Sequence, residues 1–251
     1  MHPLRQLRRL YLVGVPIALF GTGSMPQRAP DAPVSARGPT AAIEGRVEVS
    51  RALTTRRPRF RIYAEPGAGA RPPAPAPADE DERRNIVVYI ARVPSAATPA
   101  PTERAALRQR GERFAPHILP VLRGTTVDFP NDDALFHNVF SLSRAKEFDL
   151  GRYPRGTSRS TTFERAGAVQ VFCHIHSDMS AVVLVLDNPY YAMPDAEGRY
   201  SIPGLPPGDY TIVAWHERIR PITHRLHLGP GQLARVDFTI PLPAADAARE
   251  R

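Results

Sequence analysis

The sequence predicts an all-β protein, one β-sandwich followed by a smaller β-sandwich module, on three observations. Twenty-eight prolines and seventeen glycines punctuate its 251 residues. No long stretch carries the apolar period of an amphipathic helix, whereas short alternating or β-branched runs recur between turn residues. Proline breaks helix interiors and central strands alike, so runs this short and this often interrupted read as strands joined by turns. A chain of this length can bury one large core or two small ones.

From the N-terminus, Arg5, Arg8 and Arg9 precede the apolar run LYLVGVPIALF at residues 10–20, which is short for a bilayer span and shaped like an export signal. Small residues at Gly21 and Gly23 end a signal peptide at residues 1–23; cleavage after Val34-Ser35-Ala36 and a retained anchor are the alternatives. The expected location is periplasmic, with no transmembrane domain in the mature chain. Residues 24–41, rich in Pro, Ala and Ser, read as a flexible linker.

Strands are expected at 43–49, 59–63 and 85–92. Between the second and third, residues 65–84 are Pro, Ala, Gly and acids, a composition that cannot bury enough apolar surface to order itself, and a disordered insertion is expected. Residues 94–111 are again rich in Pro, Ala and charge, with one helical turn expected around Ala105 and Leu107. Strand candidates then crowd together at 114–121, 125–129, 138–142, 160–163, 169–173 and 181–186. Asp187-Asn188-Pro189 closes a first domain at 42–187. The pattern restarts over 188–243, with candidates at 198–202, 210–215 and 233–240, and residues 244–251 form a frayed tail.

The formal net charge is +8, but Lys146 is the sole lysine and the arginines are scattered. No basic stripe of the kind that tracks phosphates is visible, which argues against a nucleic-acid partner. A mildly basic face can still steer acidic partners.

In an oxidising compartment cysteines normally pair, yet Cys173 stands alone. Side chains alternate along Val169-Gln-Val-Phe-Cys173, so Val169, Val171 and Cys173 share a face and the sulfur points toward the core. The short loop His174-Ile-His-Ser-Asp-Met179 leads straight into the next strand, giving C-x2-H-x2-M. His137 lies thirty-six residues before the cysteine, where a loop enters a strand. One thiolate, two imidazoles and a thioether are the ligand set of a blue-copper site, a trigonal base with a long axial contact. Thiolate and thioether suit Cu(I), imidazole suits both oxidation states, and a rigid β scaffold keeps the geometry similar in each.

Residues 112–187 resemble the cupredoxins, plastocyanin and amicyanin above all. The matching residues are F-x-P at Phe114 to Pro116, G-T-T-V-D-F at Gly124 to Phe129, H-N-V at His137 to Val139, and the C-x2-H-x2-M loop. More narrowly, FPN, HNVFS, FDLG, VFC-x-IH and AWHE are similar to exported cupredoxin-like proteins often labelled methylamine utilization proteins. In those, a transthyretin or carboxypeptidase-regulatory-like module follows. The resemblance implies a Greek-key sandwich and one type 1 copper, held by the imidazoles of His137 and His176, the thiolate of Cys173 and the axial sulfur of Met179. It also implies that Asn138 ties the first ligand's strand to the cysteine segment.

His174 departs from the family pattern and leaves an extra ligand or a different metal open; facing the opposite side of the strand end, it reads as solvated. Zinc on Cys173, His174, His176 and Asp178 would crowd four ligands into six residues. His117 reads as structural, and His216 with Glu217, after the strand ending at Trp215, as a structural or interface pair. His224 and His227 could bind metal only if folded together. Phe136 and Phe140 are core or the apolar rim of a docking edge, and Arg144, Arg152 and Arg155 are solvated charge or a docking face. A nucleophilic Cys173 with His176 or His137 as base lacks an activating helix N-terminus or orienting carboxylate, so no enzyme is expected. The expected function is single-electron transfer with a cytochrome or dehydrogenase as redox partner; copper binding and delivery without redox turnover is the alternative.

Overall fold

The computed structural model describes residues 39–50, 82–93, 101–176 and 178–241. Among them the protein is all-β, with one short 3-10 turn at Glu82–Asn85. The strands are β1 (Ala41–Val49), β2 (Val87–Ile90), β3 (Ala105–Ala106), β4 (Arg108–Gln109), β5 (Phe114–Ala115) and β6 (Ile118–Leu122). Next come β7 (Thr125–Pro130), β8 (His137–Ser143), β9 (Lys146–Tyr153), β10 (Ser158–Phe163), β11 (Gly167–Phe172) and β12 (Ser180–Leu186). The last are β13 (Tyr191–Ala192), β14 (Arg199–Leu205), β15 (Gly208–Trp215), β16 (Ile222–Leu228), β17 (Leu233–Arg235) and β18 (Phe238–Ile240).

The first sandwich packs a five-stranded sheet, β6-β12-β11-β8-β9, on a three-stranded one, β10-β7-β3. Val127, Phe129 and Phe163 from the smaller sheet meet Val139, Val171 and Val183 from the larger. Each such side chain, removed from water, contributes on the order of 2 kcal/mol before chain entropy is set against it. Strand β12 is apolar on both faces for a reason. Val183 and Val185 enter this core, while Val182, Leu184 and Leu186 pack with Val87 and Ile118 in a separate cluster bordered by Trp215. A strand buried on both sides reads as a continuous apolar run, AVVLVL.

The second sandwich packs β14-β1-β17, with β18 also on β1, against β13-β2-β15-β16. Its core includes Ile43, Val47, Val88, Ile90, Ile202 and Ile212. This corrects the domain division expected from the sequence. Strands β1 and β2, assigned there to the 42–187 domain, pair with β14, β15, β17 and β18. The first sandwich is therefore inserted between β2 and β13. Alternation reveals that a segment is a strand but not which distant strand completes its hydrogen bonds, so the crossing went undetected.

Other local expectations also change. No helical turn forms at Ala105 and Leu107: Ala105 and Ala106 pair with β7, and Leu107 and Gln109 alternate into the core. The expected strand 114–121 is two strands, β5 and β6, separated at Pro116, which has no N–H to give to a ladder. Residues 82–84 of the expected disordered insertion are ordered, because the buried Glu82 carboxylate accepts from Asn85 and faces His216 and Arg218. Strands β9 and β16 were not anticipated; their charged and histidine-bearing faces mask the period. The expected signal peptide at 1–23, most of the linker, the strand 59–63, residues 65–81 and the tail at 244–251 lie outside the described residues. No helix among the described residues is long and apolar enough to cross a membrane.

Candidate metal centre

Three strand ends meet at one pole of the first sandwich. His137 opens β8, Cys173 follows β11, and Met179 precedes β12. Strands β8 and β11 are sheet neighbours, which carries His137 to the cysteine across a gap of 36 residues in sequence. The loop after Cys173 is closed by its backbone: Cys173 N donates to Met179 O at 3.2 Å, and Met179 N donates to His176 O at 3.0 Å. The buried Asn138 side chain accepts the His174 N–H at 2.6 Å and donates to Asp149 at 3.3 Å, tying β8 to both the cysteine segment and β9.

His137, Cys173 and His176 come together as one cluster. The two Nδ1 atoms lie 3.1 Å apart, and Cys173 Sγ is 3.9 Å from each. A point equidistant from the corners of a triangle with those sides lies about 2.1 Å from each, within the about 2.0–2.3 Å over which imidazole nitrogen and thiolate sulfur reach a first-row metal. His137 Nε2 is 2.8 Å from Asp133 Oδ2, and a proton held there leaves Nδ1 with its lone pair. Two imidazole nitrogens and one cysteine sulfur converging at these distances fit a metal ion and, as a donor set, a copper ion in particular. Met179 is buried in the same apolar cluster as Cys173, at the end of the closed loop.

His137 is fully buried, Cys173 nearly so, and His176 keeps 22% of its side chain exposed. One imidazole edge thus reaches the surface. Leu135, Phe136 and Ile175, which adjoin these histidines in the chain, are exposed. Burial lowers the His176 pKa, and neighbouring His137 pushes it the same way against the opposing pull of Glu112 and Asp133. Burial raises the Asp133 carboxyl, but backbone N–H donors from Glu112 and Gly111 and the His137 imidazole together outweigh it and leave the pKa below the ordinary range.

His174 points away from the cluster, exposed and stacked on Phe140 with ring centroids 3.7 Å apart, so Phe140 serves as its platform. Neither His174 nor Asp178 joins the ligand group, which removes the zinc set considered from sequence. His117 bridges the two sandwiches, facing the Ser180 carbonyl at 3.1 Å and Glu217 at 2.6 Å. His216 is buried against Glu82, while His224 packs on Phe238 and His227 pairs with Asp209, so those two do not form a metal site. Arg144, Arg152 and Arg155 are exposed. Sequence reasoning missed Asp133 and Glu112. The available signal for Asp133 was its place four residues before His137; Glu112 gave none.

Residues 179–241 match the carboxypeptidase regulatory-like domain family. The match covers β13 to β18 and also β12, which the sheet pairing places in the first sandwich. Within the matched segment, β14 and β15 pair with β1 and β2 from the N-terminal side of the chain. Structural neighbours of the chain are cupredoxins. It is similar to a purple cupredoxin from Nitrosopumilus maritimus, at 25% identity over 32% of this chain and 98% of that one, with a TM-score of 0.30. It is similar to an amicyanin variant in its Cu(I) form, at 22% identity over 39% of this chain and 97% of that one, with a TM-score of 0.32. A Cu-containing nitrite reductase from Thermus scotoductus SA-01 is 22% identical over 39% of this chain but only 26% of its own length, with a TM-score of 0.33. No curated protein sequence matches the chain.

Proposed function

We propose that this protein is a type 1 copper protein that moves single electrons in the periplasm and is not itself an enzyme. In this reading His137, Cys173 and His176 would hold the copper, with Met179, buried beside them, as a further sulfur ligand. The observation that carries it is the triangle of two Nδ1 atoms and one sulfur, sized for one ion and closed on its buried side by the sandwich core. When bound, copper supplies a one-electron couple. The chain's contribution is stiffness and access. Backbone hydrogen bonds close the cysteine loop, Asn138 joins it to β8, and the Asp133 carboxylate fixes the His137 ring. A site held this firmly changes little between oxidation states. The partly exposed edge of His176, beside Leu135, Phe136 and Ile175, is the surface a redox partner such as a cytochrome or dehydrogenase would approach.

Loading the purified protein with Cu(II) is expected to give an intense absorption in the red that is absent in Cys173→Ser, and a reversible midpoint in voltammetry. A preparation that binds Cu(I) without a reversible midpoint would support copper delivery instead. One that binds no copper contradicts both. In this reading the carboxypeptidase regulatory-like module is a structural or docking unit, since no cluster of metal-binding side chains forms among its described residues.

A further inference from the structure

The β4–β5 hairpin turns through Gly111 and Glu112, with φ of 63° and 56°, and Arg110 N donates to Arg113 O at 2.9 Å. Two successive positive-φ residues in a tight hairpin connection are positions at which Asn or Gly is the comfortable choice. Glu112 is the one non-glycine residue with positive φ among those described, a conformation in which its Cβ crowds a carbonyl oxygen. Strain retained at such a position is a reason to ask what the residue does there.

Successive N–H groups in such a turn converge on one side and form a nest for an anion. Here the anion is a side chain of the same protein. Gly111 N donates to Asp133 Oδ1 at 2.6 Å, and Glu112 N donates to Asp133 Oδ2 at 2.9 Å. The same Oδ2 meets His137 Nε2 at 2.8 Å. The Glu112 carboxylate lies 4.0 Å from Nε2 of His176, facing that nitrogen from beyond hydrogen-bond distance. Each ligand imidazole therefore has a carboxylate at its outer nitrogen and the cysteine sulfur at its inner one.

We infer that the Gly111–Glu112 turn is a positioning element for the metal centre: through Asp133 and the Glu112 carboxylate it keeps the proton of each imidazole on Nε2 and presents both Nδ1 atoms to the ion. The inference rests on the copper-site reading for its purpose, but its mechanism is a property of the metal-free chain. A carboxylate that fixes a metal-binding imidazole this way sets tautomer and ring orientation together.

The test is imidazole nitrogen NMR on the metal-free protein labelled with nitrogen-15, at about pH 8 where ordinary imidazoles are neutral. The wild type is expected to show both rings as the Nε2-protonated tautomer. Glu112→Gly relieves the strained φ and keeps both turn N–H groups, so the fold and the His137 tautomer are expected to persist while His176 becomes a tautomer mixture. Asp133→Asn is expected to release His137. Either substitution is expected to weaken copper binding by about 10-fold or more, and Glu112→Gln to fall between Glu112→Gly and wild type. An Nδ1-protonated or mixed ring in the wild type overturns the inference, as does a Glu112→Gly protein whose His176 tautomer and copper affinity are unchanged. Wild-type rings as expected in a protein that refuses copper would sink the copper reading alone. A blue protein indifferent to both substitutions would sink this inference alone.

Discussion

Asn138→Ala removes the cross-brace between β8, the cysteine segment and β9. The side chain is 2% exposed, accepts the His174 N–H at 2.6 Å and donates to Asp149 at 3.3 Å. Truncation deletes both bonds and orphans the His174 N–H beside a buried cysteine. A net hydrogen bond is worth about 1 kcal/mol and one to a charged carboxylate about 1.5–3 kcal/mol, so a loss of about 2–4 kcal/mol is expected. With a urea slope of about 2 kcal/mol/M, the unfolding midpoint of the metal-free protein falls by about 1–2 M. Asn138→Asp keeps the acceptor for His174 but sets a carboxylate against Asp149. Adding Asp149→Asn should then restore at least half of that loss, a coupling that independent sites would not show. A loss below about 0.5 kcal/mol for Asn138→Ala, or strict additivity in the double variant, would refute the brace.

Gly45→Ala is expected to cost at least about 2 kcal/mol, read as a lower thermal midpoint, because a Cβ there would sit 1.7 Å from the Val236 carbonyl oxygen; an unchanged midpoint would contradict the approach of β1 to residue 236. His117→Ala breaks the link to Ser180 within the first sandwich and the link to Glu217 across to the second, with an expected cost of about 1–3 kcal/mol and a red shift in the emission of Trp215, the chain's single tryptophan, at the neighbouring apolar cluster. Asp128 accepts two bonds from Arg104, chiefly lowering its carboxyl pKa below the ordinary 3.8. Its stabilisation is therefore present above that ordinary value and is lost as pH falls through the depressed folded value. Asp128→Asn should flatten the acid limb of the stability profile below about pH 4, and an unaltered limb would show the pair to be inert.

The convergence of His137, Cys173 and His176 was legible because these are rare residue types at telling spacings. A lone cysteine with a histidine three residues on and a methionine three further is hard to reconcile with packing alone. The sandwich that gathers these residues was legible from alternation at Thr125 to Phe129 and at Val169 to Cys173. What stayed hidden depends on geometry that periodicity does not encode. Asp133 acts only because two backbone N–H groups from a strained turn hold it, and nothing in Arg-Gly-Glu-Arg marks a glutamate destined for positive φ. The discontinuous second sandwich stayed hidden for a related reason. Its N-terminal strands β1 and β2 find their partners more than 100 residues later, and long-range pairing leaves no local trace.

X-ray absorption at the copper edge of the loaded protein tests the centre most directly. One sulfur and two nitrogen neighbours close to the metal, with the sulfur contribution gone in Cys173→Ser, is the expected result. A shell of nitrogen and oxygen alone, unchanged by that substitution, would mean that the metal binds elsewhere and that His137, Cys173 and His176 converge without holding it.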